Sequence, residues 1–390
     1  MRMPSQPLTP ARRRGARCGD ASMPAHDPLR GRTIRPFGRL LACTALLGFS
    51  LFVSPQGLPL AVVPVKAAEP VRLPPVRLPM AAPKFESLSI QATPIRSFGG
   101  YGTDDNVYGK LHWLGGLELE SDHDRFGGFS GLAFLDSQTF LAVGDKGTVL
   151  KARLLLKDGR PDGVEAGQMR HLPQLSERME GWQRDSEGLA LHDKAAYVSF
   201  EGDARVVRYG LTKEGTFTRQ SRSLPLPRSV LRGAKANTGF EAIAFSPEGT
   251  RHDGSFILIS ERFAGDQIQG WIVRNGKAQA FTVPEQGGLA VTDAAFTRAG
   301  DLLILERKVS LFGGLQIRIR RVRAADFGAG AIERTDILLT GNLSHALDNM
   351  EGMAVQPQPD GSHLITLISD DNFNPLQRTL LLQFLLPAGQ

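Results

Sequence analysis

From about residue 85 onward the apolar positions fall into short runs, such as FILIS, DLLILE, GLQIRIRRV and TLLLQFLL, bounded by Gly, Asp or Asn. Runs of this length between turn-forming residues predict β-strands. No long stretch holds the 3.6-residue period of an amphipathic helix. One phrase recurs: SGLAF at 130–134, EGLAL at 187–191, EAIAF at 241–245, TDAAF at 292–296 and EGMAV at 351–355, with starts 57, 54, 51 and 59 residues apart. After each phrase comes a turn and a second apolar strand that ends on an acid: Asp145, Glu201, Glu261, Glu306 and Asp370. A third strand follows (RVVRYGL, QGWIV), and often a weaker fourth (QAFTVPE, TDILLTG). Units of this size with three or four strands predict an all-β fold, a β-propeller. The Gly and Ala of the repeated phrase suit the strand nearest the crowded axis. Five repeats are counted. Residues 98–120 leave a sixth blade open, and an N-terminal strand from 85–98 or 110–120 is expected to close the ring.

Charge changes the picture only at the N-terminus. The chain carries a formal +6, but residues 1–68 hold ten of its 46 Lys and Arg and two of its 40 Asp and Glu, so the rest is close to neutral. A nucleic-acid partner is therefore not expected. Arg30, Arg32, Arg35 and Arg39 precede the apolar stretch Leu40–Val53, and VKAAEP follows with small residues near Ala67 and Ala68. This is the layout of a signal peptide, so export to the periplasm or medium is expected. Pro55, Pro59 and Pro64 argue against one membrane helix over 40–65, and no stable membrane insertion is expected after cleavage. Residues 69–84 read as a Pro/Ala-rich linker, and 85–390 as the propeller, expected to be a monomer acting on a small molecule. Both cysteines, Cys18 and Cys43, lie in the leader, which excludes disulfides and thiolate chemistry from the body.

Equivalent positions in a propeller face the same end of its channel. The repeat therefore gathers Glu187, Glu241 and Glu351 with Asp145, Glu201, Glu261, Glu306 and Asp370, flanked by Asp185, Asp348, Asn349, Asp371 and Asn372. Ser130 and Thr292 take the place of the glutamate in the first and fourth units, with Asp293 next to the latter. Crowded carboxylates repel unless cations compensate them. Calcium, which takes six to eight oxygen ligands, suits such a set. Lys146, Arg262 and Arg307 each follow a strand-end acid and would bind an anionic substrate. Metal-assisted hydrolysis is the matching reaction class. The competing reading is structural: strand-end acids also cap loops and tie blades together. DDNFN at 370–374 begins like a calcium loop but has Pro375 and Leu381 where an EF-hand has Gly and Glu. No G-x-S-x-G elbow surrounds Ser130, and the histidines show no metal-ligand spacing. Arg318 and Arg320 alternate along one strand and read as a solvated blade face.

GGFSGLAF, DSEGLAL, NTGFEAIAF, DAAF with DLLILERKVSLFGGLQIRIRRV, and DNMEGMAV with LITLISDDNFNPLQRTLLLQF resemble the exported phytase-like family with esterase-like activity, over about 110–386. The resemblance implies a propeller and phosphoester hydrolysis, with calcium as in the calcium-dependent propeller phytases. Its pattern falls on Glu187, Asn237, Glu241, Asp293, Glu306, Arg307, Asn349, Glu351, Asp370, Asp371, Asn372 and Gln377. Glu187, Glu241 and Glu351 are then expected to be catalytic. Lys146, Arg262, Arg307 and Asn237 are expected to bind substrate. Asp145, Glu201, Glu261, Glu306, Asp370, Asp371 and Asn372 are expected to hold metal. A lactonase or carboxylesterase on the same scaffold, or a non-catalytic binding propeller, are the alternatives.

Overall fold

The computed structural model describes residues 85–390 except 101–105, 174, 176–178, 203, 235–238, 265 and 311–313, and the side chains of 262–264. The leader and linker expected over 1–84 lie outside the described residues. Five sheets, antiparallel apart from the short parallel edge strand Gly330–Ala331 in the third, are arranged as five blades. Their innermost strands are Phe129–Phe134, Ser186–His192, Ala242–Phe245, Ala290–Phe296 and Met350–Pro357. Each of these neighbours the next, and the fifth returns to the first, so the ring is closed. Among the described residues helices are limited to Gly181–Arg184 and Arg228–Gly233. None is long and apolar enough to cross a membrane.

Closure uses both ends of the described chain. The fifth blade takes its first three strands from Met350–Pro357, His363–Ser369 and Thr379–Leu386. Its fourth is the N-terminal strand Leu111–Glu120, with Leu380 opposite Glu118 and Leu382 opposite Gly116. Gln91–Ile95 then adds a further edge strand. Residues 98–120 therefore make no sixth blade; their strand completes the fifth. The ladder between Thr379–Leu386 and Leu111–Glu120 therefore joins the two distant ends of the described chain, whereas the other ladders of this blade pair strands that are close in sequence.

The core is not one mass but a layer at each seam between blades. Leu303, Leu305 and Ile317 of the fourth blade pack with Met353, Leu367 and Leu382 of the fifth. Phe129 and Leu150 of the first pack with Ile368, Leu381 and Leu117 of the fifth. Similar clusters fill the three remaining seams. Burying each such aliphatic side chain contributes roughly 1.5–3 kcal/mol, so the seams supply the driving force for ring closure.

The small residues of the repeated phrase have a steric reason. A Cβ added at Gly131 would lie 2.6 Å from the Glu187 carbonyl oxygen, and one at Gly188 would lie 2.7 Å from that of Glu241. Neighbouring inner strands can approach this closely only without side chains at those points.

One expected site residue belongs to the scaffold instead. Glu306 is fully buried in the fourth blade, opposite Arg318. Its Oε2 accepts from Arg318 Nε at 2.6 Å and Arg320 Nε at 3.0 Å, and Arg320 Nη2 donates to Oε1. Arg318 and Arg320 also donate to the carbonyls of Gln286 and Pro284. Those two arginines are not a solvated face; they are 8% and 0% exposed and lock a buried ion triad. Removing one partner of such a group leaves buried charge uncompensated. Glu306→Gln is expected to lower unfolding free energy by about 3–5 kcal/mol, measured by urea denaturation. A change near zero would contradict the assignment.

Candidate functional site

The acids reach the channel mouth through a repeated backbone device. In the first blade Phe129 pairs with Gly144 and Gly131 with Val143, so Ser130 is an extra, unpaired residue: a β-bulge. The same irregularity isolates Thr292 in the fourth blade and Glu351 in the fifth. In the second, Glu187 and Gly188 together face Ser199, whose Oγ accepts from the Gly188 N–H at 2.8 Å. Glu241 immediately precedes its inner strand. A bulge releases a side chain from the alternating faces of the sheet and re-aims it. Here it singles out Ser130, Glu187, Thr292 and Glu351, one in each of four blades.

A second device places the strand-end acids beside them. The N–H of Asp145 donates to the Gly128 carbonyl, that of Glu201 to Asp185 and that of Asp370 to Asn349. In each case the acceptor lies two residues before the bulged one, so the hairpin holds two functional positions side by side. Oxygens of Asp145, Asp185 and Glu187 lie within 4.8 Å of one another, at the seam of the first and second blades. Those of Glu201, Glu241 and Glu261 do the same at the seam of the second and third. Glu241 is only 7% exposed. Among the described residues no hydrogen bond or ion pair reaches its carboxylate.

The seam of the fourth and fifth blades is built differently. Arg307 Nη2 pairs with Glu351 Oε1 at 2.9 Å, and Nη1 donates to Asn349 Oδ1 at 2.6 Å. Asn349 Nδ2 in turn donates to Glu351 Oε1 at 3.0 Å and Asp370 Oδ2 at 3.1 Å. A guanidinium thus sits among the carboxylates of this seam. The divergence from Glu306 has a simple cause. Strand Leu302–Ser310 pairs without a break through Glu306 and Arg307, so the two side chains take opposite faces. Around Glu261 the register shifts between Ile259 and Phe263.

Electrostatics follow from this crowding. Burial, then Glu241, Asp185, Asp145 and Glu351, push the Glu187 carboxyl well above its ordinary range. Burial, then Glu351, Glu261 and Glu201, do the same to Glu241 against the opposing pull of Arg307. Burial raises Glu351 to about 8, with Asp370 and Asp145 adding to it against Arg307. Burial and then Asp145 raise Asp370 to about 7. Asp145 and Asp185 rise to about 6, burial again leading, followed by Asp185 and Glu201 respectively.

The remaining expected residues divide. Asp371 does not join the clusters: its carboxylate accepts from the Gly128 and Phe373 N–H groups and from Thr379 Oγ1, clipping the fifth blade to the first. Asn372 is exposed in a left-handed turn (φ 48°), and only its N–H reaches the site, donating to Asp370 Oδ1. Lys146 is drawn outward, donating to the Asp124 carbonyl at 3.0 Å with its ammonium 3.3 Å from the centre of the Phe373 ring. Asn237 and the Arg262 side chain lie outside the described residues. Where the glutamate is missing, Ser130 Oγ donates to Asp145 Oδ1 at 3.0 Å, and Thr292 Oγ1 donates to the Met350 carbonyl. Asp293 is buried and accepts from the Met353 N–H at 2.7 Å, joining the fourth and fifth blades. The bridging role of Asn349, and Asp185 as a cluster member, were not evident in the repeat because both precede the bulged residue.

A sequence model of the Phytase-like family, described as "Esterase-like activity of phytase", matches residues 124–373. The chain belongs to this family. The matched span takes in all three seams just described. No curated protein matches the chain in sequence. Similar solved structures include the PQQ-bound aldose sugar dehydrogenase of Streptomyces coelicolor, at 14% identity, covering 76% of this chain and 98% of that one with a TM-score of 0.36. Hydrazine synthase of Kuenenia stuttgartiensis matches at 13% identity, 67% and 72% coverage and a TM-score of 0.34. YCF48 bound to D1 peptide matches at 14% identity, 70% and 68% coverage and a TM-score of 0.33. At these values none bears on the ligand or reaction of this phytase-like protein.

Acids whose folded pKa lies above the unfolded one hold extra protons in the folded state. Their contribution to stability is full below about pH 4 and lost as pH rises through the folded values of about 6 to 8. In chelator, Tm is therefore expected to fall as pH rises from about 5 to 8, with a shallower fall in Glu241→Gln. A flat profile in both proteins would refute the crowding.

Proposed function

We propose that this phytase-like propeller is an exported, calcium-dependent phosphoester hydrolase acting at its acidic mouth. The carrying observation is Glu241, buried and without a hydrogen bond or ion pair among the described residues, in a cluster of oxygens within 4.8 Å. Arg307, at the seam of the fourth and fifth blades, shows how the same crowding is relieved when the chain supplies the cation itself. Export is supported by the signal-like segment around Leu40–Val53, and hydrolysis by the family's esterase-like description.

The donor set is all oxygen, which fits a hard cation. Asp145, Asp185 and Glu187, and Glu201, Glu241 and Glu261, would hold calcium, which would supply compensating positive charge and polarise a phosphoryl group. The other roles belong to the chain. Arg307 is fixed by Glu351 and Asn349, and its side chain stays a quarter exposed, so it can hold and orient an anionic oxygen. Glu351 accepts both of its hydrogen bonds at Oε1. With its pKa at about 8 it carries a proton at neutral pH, and Oε2 can give that proton to the departing alcohol oxygen as phosphorus takes up water's hydroxyl; the proton left from water returns to Glu351 and restores it.

Purified protein is expected to hydrolyse a nitrophenyl phosphoester with calcium present and to lose that activity in chelator. Glu351→Gln is expected to lower kcat by ~10²-fold while calcium still raises Tm. Activity indifferent to chelation would overturn the proposal.

A further inference from the structure

The inner strands have two ends, and the acids occupy one of them. In strand Ser186–His192, Glu187 stands near the start and Leu191 near the finish. A rise of about 3.3 Å per residue puts roughly 13 Å between the two. At the finish lies a cavity of about 210 Å³, open to solvent, to which all five inner strands contribute. One half-buried apolar residue per blade lines it: Phe134, Leu191, Phe245, Phe296 and Val355. The residue before each is an alanine (Ala133, Ala190, Ala244, Ala295 and Ala354), so only methyl groups project there and the space stays unfilled. Among the described residues no charged side chain lines it, and Gln356 is held by donating from Nε2 to the Asp136 carbonyl at 3.0 Å.

The five half-buried residues each belong to a different seam. Phe134 packs on the layer between the fifth and first blades, Leu191 on the next, then Phe245, Phe296 and Val355 in turn around the ring. The cavity is therefore where the five apolar layers converge. Its three phenyl rings are braced by others. His192 stacks on Phe245 at 4.3 Å and 5°, Phe327 meets Phe296 edge-on at 5.4 Å, and Phe140 lies 5.9 Å from Phe134. A preformed apolar wall with fixed rings suits a further ring, which can pair with them edge-on or offset. A closed apolar cavity of about 150 Å³ accepts benzene, so this one has room for one or two fused rings and is too small for a folded partner.

We infer that this end of the channel is a second binding site, for an uncharged aromatic molecule of one or two rings. It is independent of the chemistry at the acidic mouth. A charged ligand would lose hydration against walls that offer it no partner. A bound ring meets side chains of all five blades, so it adds to the burial that closes the ring and raises the melting temperature.

The probe is 2-naphthol, titrated by calorimetry beside its charged counterpart, naphthalene-2-sulfonate. One 2-naphthol is expected to bind per chain, with or without chelator, and the sulfonate to bind weaker by about tenfold or more. Ala295→Met fills the cavity and Leu191→Gln makes its wall polar. Each is expected to weaken 2-naphthol binding by about tenfold or more in protein that still melts cooperatively. In the unaltered protein, intermolecular NOEs are expected between the naphthol ring and the methyl groups of Ala133, Ala244 and Ala354, a reading that stands even if neither variant folds. No saturable binding of 2-naphthol, equal binding of the sulfonate, undiminished binding by a folded variant, or NOEs only to other parts of the protein would each overturn the inference.

Discussion

Carboxylates held within 4.8 Å of one another repel, each pair by on the order of 3 kcal/mol at an effective dielectric of about 20. That repulsion is the constraint around which this mouth is organised. A folded chain can hold such groups together only by protonating them, by pairing them with its own cations, or by binding a cation from solution. All three solutions are visible. Burial and neighbouring acids raise Glu351 to about 8 and Asp370 to about 7, which favours the first. Arg307 between Glu351 and Asn349 shows the second. Among the described residues no hydrogen bond or ion pair reaches Glu241, and that marks its triad as a place for a bound ion.

The repulsion persists because the ring enforces it. Inner strands meet at Gly131 and Gly188 with no room for a Cβ, and apolar layers at every seam hold the blades against that contact. The N-terminal strand Leu111–Glu120 completes the fifth blade, so the acids cannot relax outward without breaking it. Site and scaffold therefore share one energetic link: seam burial opposes mouth repulsion, and whatever neutralises the mouth stabilises the whole ring.

Much of this was legible in the sequence, because a repeat imposes equivalence. Five copies of one phrase gave the five inner strands, and the matched acids placed Asp145, Glu201, Glu241 and Glu187 at one end. What stayed hidden depended on register. A strand that continues past its acid alternates faces, which sent Glu306 inward to Arg318 and Arg320 and left Arg307 facing the mouth. Those arginines looked solvated because period-two alternation shows that two residues share a face, not that the face is buried. The bulges were hidden for a similar reason: an extra residue is defined against its partner strand. The only local hint was a small residue, Gly or Ala, directly after three of the acids and after Ser130. Asp371 and Asn372 looked like ligands by type, but their turn spends the Asp371 oxygens on backbone N–H groups and Thr379.

Calorimetric titration of the chelator-treated protein with calcium tests the central claim most directly. The account predicts saturable binding approaching two ions per chain, one for each triad, with Glu241→Gln losing one of them and remaining folded. No saturable binding, or binding unchanged in Glu241→Gln, would contradict it.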